Sequence, residues 1–114
     1  MPTETPTVEV QPIGEIDRII HEPARLLLLA QLFEVESADF LYLLRQTGLT
    51  KGNLSAHLRK LEEAGYVGVE KTFVDRLPLT VIRLTDDGRQ AVEAYRKQML
   101  EMLGVFETHE QGGP

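Results

Sequence analysis

The chain has 114 residues, of which 42% are hydrophobic and 26% charged, and its formal net charge is −6. This length and composition suit one domain with a single buried core. The absence of cysteine excludes disulfides, thiolate metal sites and cysteine nucleophiles. The sequence has neither the roughly 18 consecutive apolar residues that span a bilayer nor the blocks of a signal peptide. We therefore expect a cytoplasmic protein that makes no membrane contact.

Charge is distributed unevenly along the chain. Residues 50–85 hold six basic and four acidic side chains and form the only net-positive part, whereas the flanking segments are acidic. Contact with a polyanion depends on local charge rather than on the total. Any nucleic-acid interface is therefore predicted to lie within this middle segment.

The N-terminal third combines a polar arm with a very apolar segment. Residues 1–14 contain three prolines and are predicted to form a flexible arm, or one that orders on a partner subunit. Ile16, Ile19 and Ile20 share a helical face. Pro23 suits the first turn of a new helix, and residues 23–36 are apolar nearly all round. Such a helix must be covered on all sides, either by its own chain or partly by a second subunit.

The next segments carry the capping and turn residues that are typical of short elements joined by tight connections. Residues 37–48 predict a helix of about two turns, capped by Ser37 or Asp39 and ended by a glycine. A tight turn leads to a third helix over 50–65. Residues 66–74 alternate as in a strand, 75–78 predict a turn, and 79–84 predict a second strand. A last helix follows from about residue 86.

The order helix, helix, helix, hairpin, helix is that of a winged helix-turn-helix. We predict a mainly α fold with a two-stranded β-hairpin, of the α+β class, over residues 15–85. An added C-terminal dimerisation helix is predicted over 86–106 and a disordered tail over 107–114.

The third helix has two chemically different sides. Leu54, Leu58 and Leu61 line one side and predict contact with the core. The outward side is small near its N-terminal end and basic around Arg59, and it becomes acidic only at the far end. A recognition helix enters the major groove with its N-terminal half, so this gradient favours a DNA contact. The alternative is an amphipathic surface helix with solvated lysine and arginine.

The stretches "TKGNLSAHLRKLEEAGYVGVEKTFV" and "RLTDDGRQAVEAYR" resemble the winged-helix transcriptional regulators related to the MarR and ArsR groups. They are most similar to the small single-domain bacterial and archaeal type, and the likeness covers about residues 14–100. The resemblance implies a homodimer that binds double-stranded DNA at a palindromic operator. It places the third helix in the major groove and the hairpin tip along a backbone or minor groove. The groove-facing residues that it implies are Lys51, Asn53, Ser55, Ala56, His57 and Arg59.

The predicted wing departs from that family. Wings of this type usually carry glycine with several basic residues, whereas here the tip has Asp75, and Arg76 is its only positive charge. This wing is expected to bind phosphate weakly, with Lys71 as the nearest support. Lys60 of the third helix completes the predicted DNA-binding set.

The last helix carries an apolar seam at intervals of 3, 4, 3 and 4 residues, which is typical of a coiled-coil contact. We predict an intersubunit interface there, joined by the first helix; packing on the helix's own domain is the alternative. Paired subunits would set two recognition helices about one DNA turn apart. The predicted interface residues are Leu26, Leu29, Val92, Tyr95, Met99, Met102 and Phe106.

The sequence contains no residue pattern typical of a catalytic or metal site. His21, His57 and His109 lie far apart without metal-ligand spacing, and no phosphate loop or nucleophile–base arrangement is present. We expect no metal, no cofactor and no enzymatic activity. Two other functions stay open: a protein–protein interaction module that does not bind DNA, and a regulator gated by an unknown small-molecule effector. A pocket for that effector would be lined by Leu26, Leu29, Tyr95 or Met99.

Overall fold

The structure is a computed structural model and describes residues 16–111. Four helices and a three-stranded antiparallel sheet with strand order β1-β3-β2 form the fold, and the predicted winged helix-turn-helix is confirmed. The elements in chain order are α1 (Pro23–Val35), β1 (Ser37–Asp39), α2 (Phe40–Thr47), α3 (Lys51–Glu63), β2 (Val67–Val74), β3 (Leu77–Leu84) and α4 (Asp86–Gln111).

The sheet has one strand more than the predicted hairpin. Ser37 pairs with Arg83 and Asp39 with Val81, so β1 adds an antiparallel edge to β3. Asp39 is also the N-cap of α2, and its side chain accepts a hydrogen bond from Tyr42 N at 2.9 Å. An N-cap residue has extended backbone angles, so the residues before a cap can continue as a strand. The capping signal at 37–39 therefore marks both the end of a strand and the start of a helix.

Differences from prediction also occur at the two ends of the chain. The predicted arm, residues 1–14, lies outside the described residues. Residues 18–20 form a turn rather than a helix, because Asp17 Oδ1 accepts hydrogen bonds from the backbone N–H groups of Ile19 (2.9 Å) and Ile20 (3.2 Å). At the other end α4 continues through Gln111, beyond the predicted end at 106 and into the predicted tail. Residues 112–114 lie outside the described part.

Helix α1 starts at Pro23, directly after its N-cap residue Glu22. The Glu22 side chain accepts a hydrogen bond from Arg25 N at 2.8 Å, and this bond lowers the pKa of the Glu22 carboxyl. The apolar side chains of α1 lie in two environments, the core and the surface. Leu28 and Leu29 have no exposed surface, whereas Leu26 and Leu27 remain 39% and 41% exposed. The core thus covers only one side of α1.

One core joins α1, α2, α3 and the sheet. It is almost entirely aliphatic, so burial of apolar surface is its main source of stability. Its fully buried members are Ile20, Leu28, Leu29, Leu32, Leu43, Leu54, Leu61 and Ile82.

A hydrogen bond between a tyrosine and an aspartate side chain connects the segment before α1 to the corner between α3 and β2. Tyr66 OH donates to Asp17 Oδ2 at 2.5 Å. This hydrogen bond, together with desolvation, raises the pKa of the Tyr66 phenol to about 12. The folded protein therefore holds this proton at pH values where an unfolded tyrosine loses it.

Alkaline pH is expected to weaken this bond. The unfolded phenol titrates near pH ~10, so the stabilisation is fully present below that pH and is lost as pH rises through the folded-state pKa of about 12. We expect Tyr66→Phe to be less stable than wild type at pH 8, with the difference shrinking between pH 10 and 12. Urea unfolding of both proteins across this range tests it, and a constant difference would contradict the assignment.

Candidate nucleic-acid interface

A three-residue connection sets α3 against α2. Gly48 ends α2 with φ +70°, and its N–H donates to Leu44 O at 3.1 Å. Thr50 begins α3, its Oγ1 accepting from Asn53 N at 3.2 Å. A left-handed glycine followed at once by a capping threonine gives the sharp turn of a helix-turn-helix.

Helix α3 separates a buried side from an exposed side, as predicted. Leu54, Leu58 and Leu61 are buried in the core and fix the helix on the protein. The outward side leaves its polar groups accessible to a ligand. Its exposed residues from the predicted DNA-binding set are Lys51, Asn53, Ser55, Ala56, Arg59 and Lys60.

A groove of about 340 Å³ lies between α3 and the sheet. Ser55 and Arg59 line it from the helix, and Lys71 and Thr80 line it from β2 and β3. The fold thus brings together two cationic side chains that are distant in sequence, beside two hydroxyls. Such a set can bind phosphate and base edges.

The groove also contains residues outside the predicted DNA-binding set. Thr80 was predicted only as part of a strand, and Glu62 belongs to the acidic far end of the third helix. In the structure Glu62 lines the groove together with Arg59. The signal was available, since residues three apart on a helix are neighbours on its surface. Glu62 reduces the positive potential of the groove, so base contacts should matter more there than charge alone.

His57 does not join the exposed set. Its Nδ1 lies 3.2 Å from Arg25 Nη1 and 3.9 Å from Glu22 Oε1, so the ring faces α1. A guanidinium has only donors, so His57 Nδ1 can take part in a hydrogen bond with Arg25 only as the acceptor. Arg25 itself is 9% exposed, and its Nε donates to Ile19 O at 2.6 Å. His57, which the resemblance places on the groove-facing side, instead makes an internal contact that holds α3 against α1.

The wing ends in a two-residue loop. Asp75 and Arg76 have φ angles of 52° and 70°, as the favoured type I′ hairpin turn requires. The loop is shorter than the predicted turn over 75–78, because β3 already begins at Leu77. Arg76 is exposed at the tip, in agreement with its predicted position. Phe73, Val74 and Leu77 are also exposed there, although their apolar character alone would have placed them in a core.

The predicted dimer seam divides into a covered part and an exposed part. Leu29 is fully buried in its own subunit, and Tyr95 is 7% exposed, with its OH 2.8 Å from His21 Nδ1. Neither side chain presents surface to a second subunit or to an effector pocket. Val92, Met99 and Met102 are partly buried against the same core. The exposed apolar side chains of the region are Leu26, Leu27, Leu100, Leu103 and Phe106.

The reason for this division is the length of α4. Its 26 residues extend about 39 Å, and the core can cover only the N-terminal part. The members of the heptad pattern from Val92 to Met102 therefore pack on the core of their own domain, and Phe106 is exposed.

Among the side chains that the structure describes, in residues 16–107, no three or more histidine, cysteine, aspartate or glutamate residues form a group that could hold a metal ion. None of the helices in the described part of the chain has the length and apolar character needed to span a bilayer.

The fold and this exposed helix beside a hairpin define a winged helix-turn-helix protein. The family model of the winged helix DNA-binding domain matches residues 24–103, and the chain belongs to this family. It is 36% identical over 85 residues to the uncharacterized protein MJ0432 of Methanocaldococcus jannaschii, covering 75% of this chain and 92% of that protein.

Solved structures agree with this assignment. The transcriptional regulator homologue from Pyrococcus horikoshii OT3 has a TM-score of 0.66 and 32% identity, covering 79% of this chain and 86% of that one. A protein described as a MarR-family transcriptional regulator, from Enterococcus faecalis V583, has a TM-score of 0.63 and 26% identity over 82% and 81%. AbfR of Staphylococcus epidermidis, overoxidized and bound to DNA, has a TM-score of 0.59 and 32% identity over 76% and 67%. The chain is a DNA-binding transcription regulator of the MarR-like type.

Proposed function

We propose that the protein binds a palindromic DNA operator as a homodimer, with one α3 helix of each subunit in the major groove. The observation that carries the proposal is the groove in which Ser55 and Arg59 of α3 meet Lys71 of β2. The outward residues of α3 and the groove form one accessible surface. AbfR, which is similar in fold and 32% identical, has been solved bound to DNA.

The roles of the individual residues follow from their positions. Gly52 and Ala56 are small and exposed, so the N-terminal half of α3 can approach base edges closely. Arg59 can reach a guanine edge from the helix, while Lys71 and Lys60 can contact phosphates on either side. Asn53 and Ser55 supply polar contacts near the helix start. His57 has no DNA contact in this proposal, because its ring faces α1.

Dimerisation is supported by the exposed apolar surface of α4 and α1. Leu100, Leu103 and Phe106 are each more than half exposed, and they follow one another along one helix. An exposed apolar surface of this kind usually marks an interaction site. A two-fold dimer presents two identical recognition helices, so its operator would have two-fold symmetry.

Arg59→Ala is expected to weaken operator binding by about 1–3 kcal/mol, or about 5- to 150-fold, because one base or phosphate contact is lost per subunit. The duplex would first be obtained by selecting DNA from a random pool with the purified protein. Fluorescence anisotropy then measures the affinity of each variant for the selected duplex.

Arg96→Ala is the matched control for this experiment. Arg96 is exposed on α4, so its substitution removes the same charge outside α3 and should leave affinity nearly unchanged. Equal affinities of the Arg59→Ala protein and wild type would contradict the proposed role of α3. Failure to enrich any duplex would instead favour a protein-interaction module that keeps the fold.

A further inference from the structure

Glu62 places a negative charge in a groove whose other charged side chains are cationic. It lines the groove between α3 and the sheet together with Arg59 and Lys71. Its side chain is exposed, and among the residues that the structure describes the only ion-pair geometry joins His57 to Glu22. Within that part of the chain the Glu62 carboxylate is thus not paired with either cation of the groove, and it is accessible to a ligand.

The stability of α3 does not explain an acid at this position. Glu62 lies in the last turn of the helix, where the partial negative charge of the helix end disfavours a carboxylate. The backbone oxygen of Glu62 accepts a hydrogen bond from Gly65 N at 2.9 Å, and any residue could provide that oxygen. A role in ligand binding accounts for the carboxylate better than a role in folding does.

Glu62 continues a row of α3 side chains along the groove. Ser55, Arg59 and Glu62 all line it, and residues three or four apart are neighbours on a helix surface. A rise of about 1.5 Å per residue places Glu62 about 4.5 Å beyond Arg59 along the helix axis. Successive bases of a DNA strand are about 3.4 Å apart. The Glu62 side chain can therefore reach a base pair next to the one that Arg59 contacts.

DNA offers a carboxylate few favourable partners. An ionised carboxylate only accepts hydrogen bonds, and phosphate groups repel it. The donors in the major groove are the exocyclic amino groups, N4 of cytosine and N6 of adenine. We propose that Glu62 recognises one base pair of each half-site by accepting a hydrogen bond from such an amino group. The inference rests on the proposed DNA-binding function and identifies a residue that determines the selectivity of that interface.

The same carboxylate disfavours DNA that lacks a suitably placed amino group. On such DNA the acid loses hydration and gains no hydrogen bond, which costs free energy. Binding to unrelated DNA comes almost entirely from phosphate contacts, and the negative charge of Glu62 opposes these contacts. An acid beside Arg59 and Lys71 therefore increases the difference in affinity between the operator and other DNA.

The first test repeats the selection from a random pool with the Glu62→Ala protein. Alanine favours helices and has neither charge nor acceptor. Duplexes enriched by wild type are expected to hold a fixed amino-bearing base, cytosine or adenine, at one position of each half-site. The variant should accept all four bases at that position and should bind an unrelated duplex more tightly than wild type does. The same base preference in both proteins would overturn the inference.

The second test removes the amino group from the DNA. In the duplex selected with wild type, purine replaces adenine or 2-pyrimidinone replaces cytosine at the identified position, and each change deletes only the amino group. This deletion is expected to weaken wild-type binding by at least about fivefold, since a buried carboxylate loses its donor. The affinity of Glu62→Ala should change by less than about twofold. Equal weakening of both proteins would show that another group contacts the amino group, and the inference would be wrong.

Glu70→Ala is the matched control for both tests. Val69 and Lys71 line the groove, and successive residues of a strand point to opposite faces, so Glu70 of β2 points away from the groove. Glu70 is exposed, and its substitution removes the same charge. This variant should keep the base preference of wild type and respond to the deleted amino group as wild type does. Thermal unfolding by circular dichroism verifies the fold of both variants.

The result for Arg59→Ala separates the two proposals. If Arg59→Ala weakens binding while Glu62→Ala discriminates between bases like wild type, only the inference about Glu62 fails. A Glu62→Ala protein that binds every duplex more tightly by the same factor would also overturn it, because the acid would then act through its charge alone. If the random pool yields no enriched duplex with wild type, the proposed function fails and the inference about Glu62 fails with it.

Discussion

Replacing Gly88 by alanine is expected to lower the free energy of unfolding by about 2–4 kcal/mol. A Cβ at Gly88 would overlap the backbone oxygen of Tyr66 and lie 2.9 Å from both its carbonyl carbon and Leu84 Cδ1. The oxygen belongs to the backbone and cannot rotate away as a side chain can. Helix α4 would have to move off the corner between α3 and β2.

The surrounding hydrogen bonds make that movement costly. Thr85 N donates to Tyr66 O at 3.1 Å, and Thr85 Oγ1 donates to Gly65 O at 2.6 Å. The same Oγ1 accepts from Gly88 N at 2.9 Å, which caps α4. One threonine therefore begins α4 and attaches it to the corner, and a displaced helix would disrupt all three bonds. This explains why the stretch "RLTDDGR" has threonine and glycine three residues apart.

Gly52→Ala is the matched control for stability. It makes the same chemical change within a helix, but no atom lies within 4 Å of the Cβ position at Gly52. Alanine is favoured over glycine in helices by about 1 kcal/mol, so this variant should be as stable as wild type or slightly more stable. Urea unfolding compares the three proteins. Equal stability of the Gly88→Ala protein and wild type would show that α4 can move without lowering the free energy of unfolding.

The parts of the fold that were predicted from sequence depend on local signals. Gly48 and the helix cap at Thr50 predict the tight turn between α2 and α3. The three leucines of α3 predict which side of that helix is buried. These features need only helix periodicity and backbone preferences. The two-residue loop at Asp75 follows similarly from the alternation on each side, although its length was overestimated.

The parts that were not predicted depend on where the core ends. Alternation along a hairpin does not reveal which apolar side chains reach the core, so Ile82 is buried while Phe73 is exposed. The heptad spacing in α4 has the same ambiguity between Tyr95 and Phe106. His57 lies at the edge of the leucine side of α3, and only the position of Arg25 on another helix decides which way its ring faces. The burial of these side chains and the direction of the His57 ring are decided by tertiary contacts, which local sequence patterns do not reveal.

The double variant Leu103→Glu and Phe106→Glu is expected to be monomeric. These side chains are 51% and 69% exposed near the end of α4, beyond the part that packs on its own domain. Two carboxylates per subunit would have to be desolvated in an apolar interface, which costs several kcal/mol per charge. Size-exclusion chromatography with light scattering measures the mass, with two chains expected for wild type and one for the variant.

Loss of the dimer should also reduce DNA binding. A dimer holds its second α3 helix close to the second half-site, and this linkage typically contributes a factor of about 10²–10⁴ in affinity. The monomeric variant keeps its own α3, so it is expected to bind an isolated half-site as weakly as a wild-type monomer does. Its affinity for the full selected duplex should fall by about 100-fold or more.

The matched control places the same charges on the opposite side of α4. Gln90→Glu and Ala94→Glu add two negative charges at exposed positions, roughly 120° to 180° around the helix from Leu103 and Phe106 by the 100° spacing of residues. This control should remain dimeric and bind the operator, because those positions face away from the proposed interface. If both double variants stay dimeric, the interface lies elsewhere, and the exposed Leu26 and Leu27 of α1 become the next surface to alter. If both lose DNA binding while remaining dimeric, added negative charge alone is responsible, since it repels the phosphates wherever it is placed.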